Sequence, residues 1–420
     1  MRGLCRKLLV LIGAAAAAAG SVAAQSVAVT GTGDPNVDVP AVQAAVDKGG
    51  HVVLTGHFSF DRSPTTPDGT TFSRMVTVSQ SVEISGRPDE NGDMTIIEGG
   101  NRPFFVDAGD GRVVIQALHF VRPLANAIWV HSAGGLLVAG CRIESVQPTL
   151  EFGMEAGQAN PLSGAIFVGA DPHPPNAANP GAPENFSGKL AILNNDIDVG
   201  AMPGTQTLGV VVFAVGKSPD RDVDIFVNGN NIRNVTEPAI NFRVIGGRAY
   251  AERNRLTTGP EAAANSDVIR LVGSGSYLVA NNTIDCGWAD GSVTGINVIS
   301  QAPPMVPATN AVIVDNDLTM SAPEGTVFTM NSAAIEARGL TQGSSVLNNK
   351  IRGQARAALS VLRANNGSPG NSTFVSNDID GFQSSVADLF VDTGATNTVL
   401  IGRQANLEDH GTHTVVIPTP

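Results

Sequence analysis

One short pattern recurs along this chain: Asn, any residue, then Ile or Leu. It stands at Asn195-Asp196-Ile197, Asn230-Asn231-Ile232, Asn254-Arg255-Leu256 and Asn282-Thr283-Ile284, then at Asn316-Asp317-Leu318, Asn349-Lys350-Ile351 and Asn377-Asp378-Ile379. The seven copies follow one another at steps of 35, 24, 28, 34, 33 and 28 residues. Self-similarity at such a period belongs to chains wound as a stack of similar coils, and the uneven step means loops of unequal length. Variants without the Asn lie upstream at Leu118-His119-Phe120 and Cys141-Arg142-Ile143, and a degenerate copy lies near Ile401 to Leu407. At a sharp corner Asn tolerates left-handed backbone better than most residues. Its amide both donates and accepts, so stacked copies would hydrogen-bond along the coil axis.

A second strand follows most copies. Examples are Ile128-Trp129-Val130-His131, Ile240-Asn241-Phe242-Arg243, Ile269-Arg270-Leu271-Val272, Ile296-Asn297-Val298-Ile299 and Ile335-Glu336-Ala337-Arg338. Their first and third members are apolar, the period-2 signature of a strand with one buried face. Charged residues make up only 15% of the chain, against about 25% for an average soluble domain, which disfavours helices with a charged outer face. The 47 Gly and 25 Pro supply the many turns that an all-β chain needs.

These copies and the strand after them resemble the repeats of the pectin-lyase-like superfamily, right-handed parallel β-helices. The opening agrees: Asp38 and Pro40 would start a short capping helix through Val42, Ala45 and Val46, stopped by Gly49-Gly50 before the strand Val52-Val53-Leu54-Thr55. The expected fold is therefore all-β, a right-handed parallel β-helix with a short N-terminal capping helix. The resemblance spans roughly residues 36–417 and speaks for fold. The superfamily includes lyases, hydrolases, esterases, epimerases and non-catalytic adhesins, and fold alone does not choose among them. The Asn-Thr-Asp, Gly-His-Gly and Arg-Ile-Lys segments of its polygalacturonase-like hydrolases do not occur here.

Stacking the second strands predicts two outward columns. One reads Phe105, Trp129, Phe167, Val212, Asn241, Arg270, Asn297, Glu336, Ser360, Phe390; the other Asp107, His131, Gly169, Ala214, Arg243, Val272, Ile299, Arg338, Leu362, Asp392. A polar cluster thus falls on the middle coils. Arg243, Arg270 and Arg338 would bind carboxylates or sulfates bidentately. In the resembling enzymes this face often lies at the cleft, and β-elimination from a uronate needs its carboxylate neutralised and one base. Arg243, Arg270, Arg338, Glu336 and His131 are the candidate catalytic residues, and Trp129, Asn241 and Asn297 the candidate substrate-binding ones. Glu336 has no acidic neighbour on adjacent coils in these columns, which disfavours two-carboxylate hydrolysis. The expected function is binding or cleavage of an acidic polysaccharide, with lyase-like β-elimination favoured. The competing reading is a non-catalytic extracellular scaffold, adhesin or carbohydrate-binding protein. No metal or cofactor is called for: His410 and His413 lack a third partner beyond Asp409, and Asp196/Asp198 and Asp378/Asp380 share their column with Arg142, Arg255, Lys350 and Arg352.

Residues 1–24 read as a secretory signal: basic Arg2, Arg6 and Lys7, an apolar run from Leu8 to Ala19, and Val22-Ala23-Ala24 before Gln25. Residues 25–420 are then expected to form one β-helix domain, secreted or periplasmic, with no membrane span. The net charge of −12 and the absence of a basic run argue against nucleic acid as a partner. Oligomeric state is not legible. After removal of Cys5, Cys141 and Cys286 remain, four coils or roughly 19 Å apart, too far for a disulfide. Two free thiols are expected.

Overall fold

The computed structural model describes residues 26–418 other than 61–74, 148–161, 170–184, 201–205, 216–222, 245, 260–265, 288–290, 301–307, 365–366 and 403–405. The expected secretory signal lies outside the described residues.

The chain is a right-handed parallel β-helix. Each full coil contributes a strand to sheet A, turns at the Asn corner into sheet B, and then enters sheet C. Among the described residues sheet A has fourteen strands, from Ser26–Thr30 to Val415–Pro418. Sheets B and C are joined where the strand Lys350–Leu362 runs through both. Strand pairs from coil to coil are parallel throughout. The repeat dictates this geometry. Ile197, Ile232, Leu256, Ile284, Leu318 and Ile351 stack inward from sheet B, each at most 1% exposed. Inward residues of sheet C, such as Ile240, Phe242, Ile269 and Leu271, close the same core.

The Asn ladder is continuous. Nδ2 of Asn195 donates to Oδ1 of Asn230, and five further links carry the chain of amides to Asn377, all at 2.9–3.1 Å. The second Nδ2 hydrogen of each goes to a sheet A carbonyl, for example Asn282 to Ala251 at 2.9 Å. Each Oδ1 from Asn230 onward also accepts the backbone N–H of the preceding ladder residue. Every polar atom of the interior amides is thereby used. One expectation is corrected. The left-handed residue is the one before the ladder Asn: Asn194, Gly229, Arg253, Asn281, Asp315, Asn348 and Ser376, at φ between 52° and 69°. That residue makes the turn, leaving the ladder side chain free to point into the stack.

The N-terminal end is capped as expected, with a shifted start. The helix is Pro35–Val46, one turn earlier than read from sequence, because Asp34 caps it by accepting from the Asn36 N–H at 2.9 Å. Asp38 is instead buried and accepts from Thr32 N, Gly33 N and Ser59 N, tying the entry turn together. Val42, Ala45 and Val46 cover the end of the core. Gln43 substitutes for a missing strand: its Oε1 accepts from Thr77 N at 2.8 Å and its Nε2 donates to Thr77 O at 2.9 Å. The first edge of sheet C is thus satisfied without exposing it to pairing.

Cys141 and Cys286 are buried and free. Burial pushes both thiols up, that of Cys141 to about 12. Among the described residues no helix is long and apolar enough to cross a membrane.

Candidate functional site

The outward faces of sheets B and C differ in chemistry. Sheet B is lined with hydrogen-bonded and ion-paired side chains, including His57–Glu98 at 2.7 Å, His119–Glu144 at 2.9 Å, Arg233–Asp198 at 2.9 Å and Arg352–Asp378 at 2.5 Å. These are partly exposed pairs of small individual worth. Sheet C is different: along much of its length its outward side chains are covered.

Near the N-terminal end, Phe167, Leu208, Val211 and Phe213 form a buried apolar cluster outside the main core, with Trp129 packed against it. Trp129 donates from Nε1 to Gly169 O at 3.0 Å and meets Phe105 at 4.7 Å between ring centroids. Phe167 is 1% exposed, so it is packing rather than an open stacking platform. The register here corrects the predicted columns by one residue: Val211, not Val212, pairs Phe167 and Asn241, and Phe213 pairs Arg243. Arg243 closes this cluster, its guanidinium 4.6 Å from the Phe213 ring centroid.

The middle coils follow the predicted order. Asn241 pairs Arg270, Arg270 pairs Asn297, and Asn297 pairs Glu336. Arg243 and Arg338 occupy the neighbouring column, separated by Val272 and Ile299. Alternation puts these groups outside the core, because Ile240, Phe242, Ile269, Leu271, Ile296, Val298 and Ile335 take the inward places. What alternation does not foretell is their burial. Glu336 is 0% exposed, Asn297 2% and Asn241 3%, while the Arg270 and Arg338 side chains keep 21% and 27%. Two arginine side chains therefore keep partial exposure on the face that holds a sealed carboxyl group, Arg338 on the same coil and Arg270 two coils away.

Two further acids complete the cluster, and the columns missed both. Asp267 accepts from Arg270 Nε at 2.5 Å and from Asn297 Nδ2 at 3.0 Å. Glu237 lies 3.9 Å from Arg270 Nη2. Each sits where the chain enters a strand, Glu237 just before Pro238, outside the alternating run that the columns were built from. The acid that acts on Glu336 is not on an adjacent coil: the Asp267 charge reaches it across two coils.

Glu336 is the unusual member. Neither carboxyl oxygen has a hydrogen-bond partner, and the nearest cation, Arg338 Nη1, is 4.0 Å away. Burial raises its pKa to about 8; Arg338 opposes the rise and Asp267 adds to it. Burial likewise raises Glu237 to about 7, against the pull of Arg270. Burial also works against the charge of Arg270, but Asp267 and Glu237 outweigh it and hold that guanidinium above its ordinary value. Arg243 is shifted the other way, by burial and by Arg270. The cluster thus sets one cation held in its charged form, Arg270, on the same face as a carboxyl group poised to hold or release a proton near neutrality.

His131 is not brought to this cluster. It bonds Asp107 through Nδ1 at 3.1 Å, and six coils, about 29 Å, separate its strand from that of Glu336. Trp129 is three coils from Asn241, about 14 Å. His410 bonds Glu408 at 2.9 Å, and among the described residues no group of three His, Cys, Asp or Glu is placed to hold a metal.

The sequence matches no protein-family model and no curated protein. Solved structures do resemble the fold. PfbA, a surface adhesin of Streptococcus pneumoniae, is 11% identical with a TM-score of 0.48, covering 92% of this chain and 93% of its own. The alginate lyase AlyF-OU02, solved with G6, is 10% identical at 0.47, covering 93% and 87%. DFA-IIIase from Arthrobacter chlorophenolicus A6, without its lid, is 14% identical at 0.44, covering 93% and 96%. Similarity this low carries neither substrate nor chemistry to this chain. The parallel β-helix fold of the chain rests on its own sheets, parallel from coil to coil.

Proposed function

We propose that the outward face of sheet C takes an acidic polysaccharide and that Glu336 transfers a proton in its eliminative cleavage. The observation that carries this reading is the sealed Glu336 carboxyl group, without a hydrogen bond among the described residues, with the Arg338 guanidinium 4.0 Å away on its own coil and Arg270 two coils along the same face. A native protein seldom leaves a buried carboxyl group unsatisfied without a use for it. Guanidinium groups bind a uronate carboxylate and stabilise the negative charge that develops there when the C5 proton leaves. A base with a pKa near the working pH combines the correct protonation state with proton affinity, and a carboxyl lifted to about 8 has more affinity than an ordinary one. Asp267 and Asn297 hold Arg270 in place, and Arg243 seats the neighbouring coil against Phe213. An exported chain would meet such polymers outside the cell.

The test is the ultraviolet absorbance of unsaturated uronate products from pectate, alginate and glycosaminoglycans. Glu336→Gln should abolish turnover with circular dichroism unchanged. Arg270→Ala with Arg338→Ala should raise KM. A second reading, a non-catalytic carbohydrate-binding or adhesive protein, is favoured by the complete burial of Glu336, which no polymer touches unless its cover moves. Salt-sensitive retention on a polyuronate without turnover, unchanged in Glu336→Gln, would select it. Neither retention nor turnover on any acidic polysaccharide would refute both.

A further inference from the structure

Sheet A has an outward face unlike the other two. One outward column runs in register through Leu137, Phe226, Tyr250 and Leu278, and a second carries Leu193 and Leu347. Apolar residues occupy most of both columns from the coil of Arg112–Gln116 to the last strand, eleven coils in all. The side chains of these six residues are half-buried, and none belongs to or packs against the main core or its two satellite clusters. That is the exposure of an uncovered stack: coils above and below shield each side chain laterally while its tip faces out. On the last coil, which lacks one neighbour, exposure rises to 49% and 47% at Val415 and Ile417. On sheet C, by contrast, the outward residues Asn241, Asn297, Glu336 and Ser360 are covered to 0–3%.

The face is bounded on both long sides by polar residues. Arg112, Lys189 and the Asp224–Arg248 pair, bonded at 2.6 Å, line one edge. The exposed left-handed corner residues, Asn194 to Ser376, line the other. Inside these borders the apolar coils carry one charged residue, Glu252, which is held laterally by Asn228 at 3.2 Å. An apolar strip with a polar rim is the anatomy of a protein interface.

We propose that this face packs against the same face of a second copy of the chain, making a face-to-face dimer. The argument for a second copy is shape and area. The strip runs without a register shift from coil to coil and is two side chains wide, and a surface that matches its length is its own duplicate, as a two-fold interface requires. Ten coil steps of ~4.8 Å and a width of ~14 Å give roughly 700 Å² on each copy. The total of about 1,400 Å² falls within the standard range for a stable interface. An open strip of that size is also beyond what a soluble monomer ordinarily leaves exposed.

The test is the mass of the purified protein by light scattering and sedimentation at micromolar to tens of micromolar concentration. The wild type should run at twice the 43.2 kDa of the full chain, or twice the mass of the processed chain if the signal is removed. Leu278→Lys with Val312→Glu places opposite charges on neighbouring coils in register, where they satisfy each other in a monomer. Buried between two copies they should raise the dissociation constant about a hundredfold or more. The variant should then have the mass of one chain and unchanged circular dichroism. If it does not fold, Tyr250→Lys alone is read in the same way. A wild type that is monomeric throughout the range overturns the proposal, as does a folded variant that still pairs. Neither result bears on the sheet C reading.

Discussion

Asn282→Ala tests the ladder that sets the coil register. The Asn282 side chain makes four hydrogen bonds: Nδ2 donates to Ala251 O and Asn316 Oδ1, and Oδ1 accepts from the N–H and Nδ2 of Asn254, all at 2.9 Å. Alanine removes all four. Asn316 Oδ1 keeps the Asn282 backbone N–H at 3.0 Å, but two donors of Asn254 and the Ala251 carbonyl lose these partners in a place 1% exposed. At ~1–3 kcal/mol for each of these three buried groups left unsatisfied, the cost is about 3–9 kcal/mol. Asn377→Ala is the control. Asn377 ends the ladder, is half-buried, and donates to Val346 O at 3.0 Å with no ladder residue beyond it, so water can replace much of what is lost. Urea unfolding followed by β-sheet circular dichroism should place Asn282→Ala well below Asn377→Ala. Stacked coils need not unfold in one step, so each variant is compared at its first transition. An Asn282→Ala cost under about 1 kcal/mol, or one equal to that of Asn377→Ala, would refute the ladder as a source of stability.

Replacing inward Ile284, 1% exposed, by Asp should unfold neighbouring coils at a cost of several kcal/mol; unchanged melting would show that the register is wrong. Thiol reagents should leave Cys141 and Cys286 unmodified in the native protein and label both on denaturation without reductant, whereas a bridge between them would contradict the four-coil spacing. Stability should fall as pH rises from the unfolded value of 4.5 toward about 8, because folded Glu336 keeps a proton that the unfolded chain has released. Glu237 adds to the slope up to about 7. Glu336→Gln should flatten this slope and stabilise the protein at pH 8; an unchanged slope would count against a proton held at Glu336.

The fold was legible because its two periods are written in local residue types. Asn-x-Ile marks every corner from Asn195 onward, and Ile-x-Phe or Ile-x-Leu alternation marks the sheet C strands. The order Asn241, Arg270, Asn297, Glu336 followed from these two facts. Asp267 and Glu237 did not, because they stand at strand entries where alternation gives no direction. The burial of Glu336 was equally hidden: period 2 says which side of a strand a residue takes, not what lies over that side. Val211 displaced Val212 because the strand Gln206–Val215 carries the apolar run Val210-Val211-Val212-Phe213, in which period 2 does not mark the outward members. The apolar outer columns of sheet A were present in Leu137, Phe226 and Leu278, but continuous apolar runs read as wholly buried strands until the stack shows which members face out.

The account turns on a proton held at Glu336, so the most direct measurement is the titration of that carboxyl group. Isotope-edited infrared or carbon NMR spectra of wild type minus Glu336→Gln isolate its signal across the pH range. A midpoint near 8, with the protonated form present at neutrality, is the predicted result. A midpoint at the ordinary value of 4.5 would mean that Glu336 is solvated or ion-paired, and the sealed proton-transfer group proposed for sheet C would not exist.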